Sequence, residues 1–168
     1  MTAAVMRIIQ AVSAPEIAAA RELFEEYAFW LGLDLSFQNF DAELAGLPGE
    51  YSPPHGALLL ALDGAAVLGC VAVRPTESDG TAELKRLYVR PIARGQQVGR
   101  ALTERAIALA REAGYRQIRL DTLPVMSSAQ VLYESLGFRG IEPYRFNPVP
   151  GARYLELDLG HSGTADVD

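Results

Sequence analysis

A chain of 168 residues, 49% apolar and 21% charged, can bury one substantial core, and these values exclude a disordered protein. The formal net charge of −6 argues against nucleic acid or an anionic membrane as the main partner. The single cysteine, Cys70, excludes an intrachain disulfide; no metal is expected, because His55 and His161 match no ligand spacing.

Arg7 to Val12 reads as a first strand, and its apolar part is too short for a leader or a membrane span, so the cytoplasm is the default compartment. Ser13-Ala14-Pro15-Glu16 then starts a helix: Ser13 can cap early amides, Pro15 suits the first turn, and Glu16 completes a capping box. Ile17, Ala20, Phe24, Tyr27 and Leu31 follow at spacings of three and four, giving one apolar stripe that Gly32 ends. A shorter helix fits Phe37 to Leu47, before Pro48-Gly49 and Pro53-Pro54 break the chain.

Ala57 to Leu62 and Ala65 to Val73 are apolar runs divided by Asp63-Gly64, a hairpin signal. Asp79-Gly80 supplies the next turn, and Ala82 to Val89 a third consecutive strand. The run from Ala65 to Val73 is apolar on both faces, as a central strand covered by helices should be, and within it Cys70 is expected to be a buried, inert thiol. Beyond Val89 come a helix from Val98 to Ala113, a strand from Gln117 to Thr122 and a helix from Ser127 to Leu136. Phe138 to Glu142 begins a further strand, and Tyr154 to Leu159 is the last. This order predicts an α/β (α+β) fold in one domain over residues 1–160, with 161–168 a flexible polar tail.

The most informative stretch runs from Leu87 to Arg100, LYVRPIARGQQVGR, where a strand ends and a helix begins among glycines and arginines. Unpaired amides at a helix start attract phosphate, glycine lets a ligand approach the backbone, and Arg90, Arg94 and Arg100 add charge. Taken alone, the loop is either a diphosphate cradle or an ordinary turn with solvated arginines. The G-x-G-x-x-G spacing of dinucleotide folds is absent, and so is a Gly-Lys-Ser or Gly-Lys-Thr triplet.

With Arg94, Gly99 and the spacing between them, the loop resembles the pyrophosphate motif Q/R-x-x-G-x-G/A of the GNAT superfamily of acyl-CoA N-acyltransferases. Gln97 departs from it, standing where the first motif glycine is usual. Glu83 to Val89 is similar to the family's fourth strand, and Ala129 to Phe138 to its A-x-x-L-Y-x-x-x-G-F segment. Leu35-Ser36-Phe37, Leu47-Pro48-Gly49 and Leu120 to Pro124 resemble a bacterial branch of unassigned substrate.

The resemblance implies a mixed, mostly antiparallel sheet of six to seven strands with about four flanking helices, splayed between the fourth and fifth strands. It implies acetyl-CoA as cofactor, held by Leu87, Tyr88, Val89, Arg94, Gly95, Gln96, Gln97, Val98, Gly99, Arg100 and Ala129. Met126 stands where relatives often carry an asparagine, so one CoA hydrogen bond is expected to be missing. The backbone amide of Leu87 or Tyr88 would hold the thioester carbonyl.

Acetyl transfer needs a deprotonated amine, a held carbonyl and a protonated leaving thiolate. The resemblance assigns the proton acceptor to Glu83 and the donor to sulfur to Tyr133; otherwise Glu83 is an exposed residue or a partner of Lys85, and Tyr133 a packing residue. Strand alternation sets Lys85 on the same side as Glu83 unless a bulge intervenes, and its charge would lower the carboxylate's pKa. By analogy the acceptor, a small-molecule or peptide amine, meets Tyr27, Trp30, Phe37, Tyr144 and Arg145, residue types that also serve as core. Many relatives dimerise, which raises a homodimer by analogy. The competing readings are a catalytically weak CoA-binding sensor, which Gln97 and Met126 keep open, and a structural domain without a CoA site.

Overall fold

The structure is a computed structural model that describes residues 6–32 and 39–160. Its strands are β1 (Met6–Gln10), β2 (Ala57–Asp63), β3 (Ala66–Pro75), β4 (Thr81–Val89), β5 (Gln117–Thr122), β6 (Arg139–Gly140) and β7 (Arg153–Asp158). They form one sheet in the order β1-β2-β3-β4-β5-β7-β6, antiparallel except where β4 meets β5. Helices α1 (Ala14–Leu31) and α2 (Phe40–Ala45) lie on one side, α3 (Val98–Glu112) and α4 (Ser127–Ser135) on the other.

Local signals set most of these boundaries. Ser13 caps α1 and Glu16 returns the capping box, an arrangement worth ~1 kcal/mol, while Gly32 closes the helix in the left-handed conformation. Helix α2 begins three residues later than the expected Phe37; residues 33–38 lie outside the described part, and so does the tail from His161. The first hairpin turns at Gly64-Ala65, one residue beyond the expected position, because Asp63 still pairs with Ala66 and Met6. Strand β6 keeps only two residues of the expected run, and Pro143 just beyond it has no N–H to extend a ladder.

Two apolar cores flank the sheet. Leu59, Val71 and Val73 pack with Leu102 and Ala106 of α3, while Leu58, Leu60 and Cys70 pack with Leu23 and Phe24 of α1. Strand β3 therefore buries both faces, as its unbroken apolar run predicts. Two irregularities of β4 shape everything that follows. Its parallel pairing to β5 covers only Thr81–Glu83 against Gln117–Arg119, after which the strands separate. Its pairing to β3 slips between Cys70↔Tyr88 and Ala72↔Lys85, which inserts one extra residue into β4. Arg86 sits in that bulge with a φ of 62°.

Candidate active site

The bulge changes which way β4 presents its side chains. Leu84 packs toward α3, and the next residue to do so is Leu87, so Lys85 and Arg86 both lie toward α1. Glu83 shares that side, as alternation predicts. Arg86 is locked there: its Nε and Nη2 donate to Glu43 of α2 (2.9 and 2.8 Å), and its guanidinium lies 5.2 Å from the Phe40 ring centroid. Neither Arg86 nor Leu87 has a register partner on β3, and β5 has already diverged. The backbone at Leu87 is therefore open for a ligand's carbonyl, whereas Tyr88 is paired with Cys70.

Glu83 is wholly buried. It accepts hydrogen bonds from Arg74 Nε (2.8 Å), from the Tyr144 hydroxyl (2.8 Å) and from Arg145 Nη2. Burial raises its pKa, but Lys85, Arg145, Arg74 and the Tyr144 hydroxyl together hold it below the ordinary carboxylate value. Such a group anchors the cations around it and is a weaker base than a free carboxylate. The Arg119 guanidinium lies 3.9 Å from the Tyr144 ring centroid, and that of Arg145 lies 5.4 Å from it.

Where β4 and β5 separate, a cavity opens between Tyr27, Lys85, Leu87, Asp121, Met126 and Tyr133. Tyr133 is buried against Phe138, and burial, then Tyr27 and Asp121, pushes its phenol well above the usual range, so it stays a protonated donor. Tyr27 is pushed up to about 12, chiefly by burial. Asp121 accepts from Asn147 Nδ2 (3.0 Å), and Asn147 is itself oriented by the Val149 amide (3.0 Å).

A second cavity, about 400 Å³, runs from this splay along the strand-to-helix loop. Ten of the eleven expected cofactor residues line it, including Arg94, Gly95, Gln97, Gly99 and Ala129. Gln96 is the exception, being exposed and turning its amide back to the Ile92 carbonyl (3.4 Å). No side chain caps the start of α3, which leaves its first amides for an anion. Gly95 takes a φ of 80° with open space where a Cβ would stand, and Gln97 holds a left-handed φ of 66°. Arg94 donates Nε to the Val89 carbonyl (3.0 Å) and lies 5.3 Å from the Trp30 ring centroid. Donors, open backbone and volume all fit a diphosphate with a narrow arm.

Trp30 lines this groove; of the other expected acceptor residues, Tyr27 lines the splay, Tyr144 and Arg145 meet at Glu83, and Phe37 lies outside the described residues. Sequence reasoning passed over Glu43, Arg86, Arg119 and Asp121. The alternation in QIRLDT does place Arg119 and Asp121 on one face opposite Ile118 and Leu120, a signal that the order of residues carries by itself. Cys70 is buried and raised by that burial, with its Sγ 3.3 Å from the Arg86 carbonyl. Among the described residues no helix is long and apolar enough to cross a membrane, and no cluster of side chains could hold a metal.

The sequence pattern of the acetyltransferase (GNAT) domain matches residues 54–140. An uncharacterised N-acetyltransferase of Schizosaccharomyces pombe is 43% identical over 153 residues, covering 90% of this chain and 94% of that protein. The N-acetylaspartate synthetase of Mus musculus is 36% identical over 111 residues, 65% of this chain and 37% of the relative. A Salmonella typhimurium structure, described as a putative acetyltransferase with its cofactor acetyl-CoA, superposes with a TM-score of 0.68 at 21% identity. That match covers 97% of this chain and 99% of the other.

Proposed function

The chain belongs to the GNAT family of N-acetyltransferases, and on that premise we propose that it passes an acetyl group from acetyl-CoA directly to a small primary amine. The observation that carries this reading is the meeting of the two cavities: Leu87 and Met126 line both the long groove and the splay. A thioester at the end of the groove would face an amine in the splay with no protein nucleophile between them. The mouse relative is named for making N-acetylaspartate, which supports an acceptor of small size.

Arg94, Gly95 and the uncapped amides of α3 would hold the diphosphate, and Ala129 would flank the arm. Acetyl-CoA, when bound, supplies the activated acyl group. The Leu87 amide, exposed by the bulge, would donate to the carbonyl oxygen and stabilise charge developing there. Tyr133, kept protonated by its burial, would donate to the departing sulfur. Asp121 lines the splay beside Leu87 and Tyr133, and we assign it the amine proton, directly or through water. Glu83, saturated by cations, then serves to position Tyr144 and Arg145 instead of acting as the base.

Calorimetry with acetyl-CoA tests the reading, using adenosine diphosphate and desulfo-CoA as controls. Micromolar binding that requires the pantetheine arm is expected. No acetyl-CoA binding at saturating concentration would sink the proposal.

A further inference from the structure

The charged wall around Glu83 borders the acceptor splay: Glu83 lies two residues before Lys85 on β4 and Arg119 two before Asp121 on β5, and both Lys85 and Asp121 line the splay. This acceptor wall also lines a separate cavity of about 440 Å³, a volume in the range of small-ligand sites. Arg74, Arg119, Tyr144 and Arg145 face it together with Glu50 and Glu77. None of these residues lines the splay or the cofactor groove.

Three guanidiniums meet in this cavity, and their charges are not equally answered. Arg74 donates to Glu83 and Glu50, and Arg145 donates to Glu83, so two carboxylates balance two cations. Arg119 is left over. Among the described residues its side chain makes no hydrogen bond and no ion pair, and its Nε is shut off from water without an acceptor. Both of its register neighbours are acidic, Glu83 on β4 and Glu156 on β7. Glu83 already serves three donors, however, and Glu156 forms no ion pair with it. Glu77 is exposed and pairs with none of the three arginines.

Tyr144 fixes where the Arg119 guanidinium stands. Arg119 Cζ lies over the ring, 3.9 Å from its centroid, and the Tyr144 hydroxyl is anchored on Glu83 (2.8 Å). Stacking occupies a face of the guanidinium and leaves its in-plane N–H groups for an acceptor. A buried N–H without one carries the cost of its lost hydration until a partner arrives.

We propose that this cavity is a binding site for a small monocarboxylic acid, taken side-on by Arg119, with Arg145 adding charge from the same cavity. A carboxylate gives Nε and one Nη of Arg119 an acceptor each, in the paired geometry that the planar fork favours. One negative charge completes the local balance, whereas a phosphate or sulfate dianion exceeds it and meets Glu50 and Glu77. The site stands apart from acetyl transfer, so its occupancy is expected to leave acetyl-CoA binding unchanged.

The test follows the arginine Nε–Hε resonances and the β5 backbone amides of isotope-labelled protein by NMR, at low salt, while benzoate is added. Arg119→Lys identifies the Arg119 resonance by its loss. That resonance is expected to move saturably, with benzoate binding at least about tenfold more tightly than benzamide or inorganic phosphate. Arg119→Lys keeps the charge and loses the fork, and benzoate affinity read on the β5 amides should fall at least about tenfold. No saturable shift, equal binding of benzamide, tighter binding of phosphate, or an affinity untouched by Arg119→Lys would each overturn the assignment. Should the variant not fold, the comparison of benzoate with benzamide on the unaltered protein decides alone.

Discussion

The cofactor groove draws its phosphate-facing part from consecutive residues, Arg94 to Arg100, whereas the acceptor wall gathers Arg74, Glu83, Arg119 and Tyr144 from four separate stretches. The groove works through backbone: uncapped amides, a glycine and an open strand edge. The wall works through charge, with one buried anion organising several cations. A site made of backbone tolerates side-chain change, while a buried ionic cluster fails when a single member is removed. The two regions should therefore respond differently to substitution.

The sharpest break is expected at Glu83→Gln, which preserves volume but leaves the half-buried Arg74 and Arg145 and the buried Lys85 without their shared anion. Unfolding by urea should register a loss of about 3–5 kcal/mol. Acetyl-CoA affinity of the folded fraction should hold, since Glu83 does not line the groove. A loss below about 1 kcal/mol would deny Glu83 its anchoring role.

Tyr133→Phe is the next largest, and it tests the junction between the regions. Turnover should fall by about 100-fold while the acetyl-CoA dissociation constant changes little. Equal losses in both would mean that Tyr133 only packs.

The fold was legible in the sequence to within a few residues, because capping boxes, hairpin glycines and apolar periodicity are local signals. Ser13 with Glu16 and the alternation of QIRLDT needed no distant partner to be read. The groove was legible for the same reason. The wall was not: Glu83 meets Tyr144 across 61 positions and Arg86 meets Glu43 across 43, and no local pattern announces either pair. The β4 bulge carries no glycine, so simple alternation sends Arg86 to the wrong face.

A pH series separates the wall's cations from the rest. Lys85 has a folded pKa of about 8 against 10.5 unfolded, so between these values the unfolded chain binds the extra proton. Stability must then rise with pH from 8 toward 10, by up to about 1.4 kcal/mol per pH unit, until unfolded tyrosines titrate the other way. Urea midpoints at pH 7.5 and 9.5 should show this rise, and Lys85→Met should flatten it. An identical slope in both proteins would remove Lys85 as its source.

The smallest effect is expected at Gln97→Gly. A left-handed conformation costs a side-chain-bearing residue ~1 kcal/mol, which glycine would relieve with acetyl-CoA binding unchanged or tighter. Weaker binding would show that the Gln97 side chain contributes a contact of its own.

The extra residue in β4 makes chain length part of the site's specification. Excising Arg86 would leave an ordinary ladder in which Leu87 pairs with Val71, while Leu87, Tyr88 and Val89 keep their present faces. Every other residue type would still be present in its original order. The amide at Leu87 would nevertheless be returned to the sheet, and the anchor of Arg86 on Glu43 would be lost. For this segment a single-codon deletion is a more drastic change than most substitutions, because it closes the strand edge at which the two cavities meet.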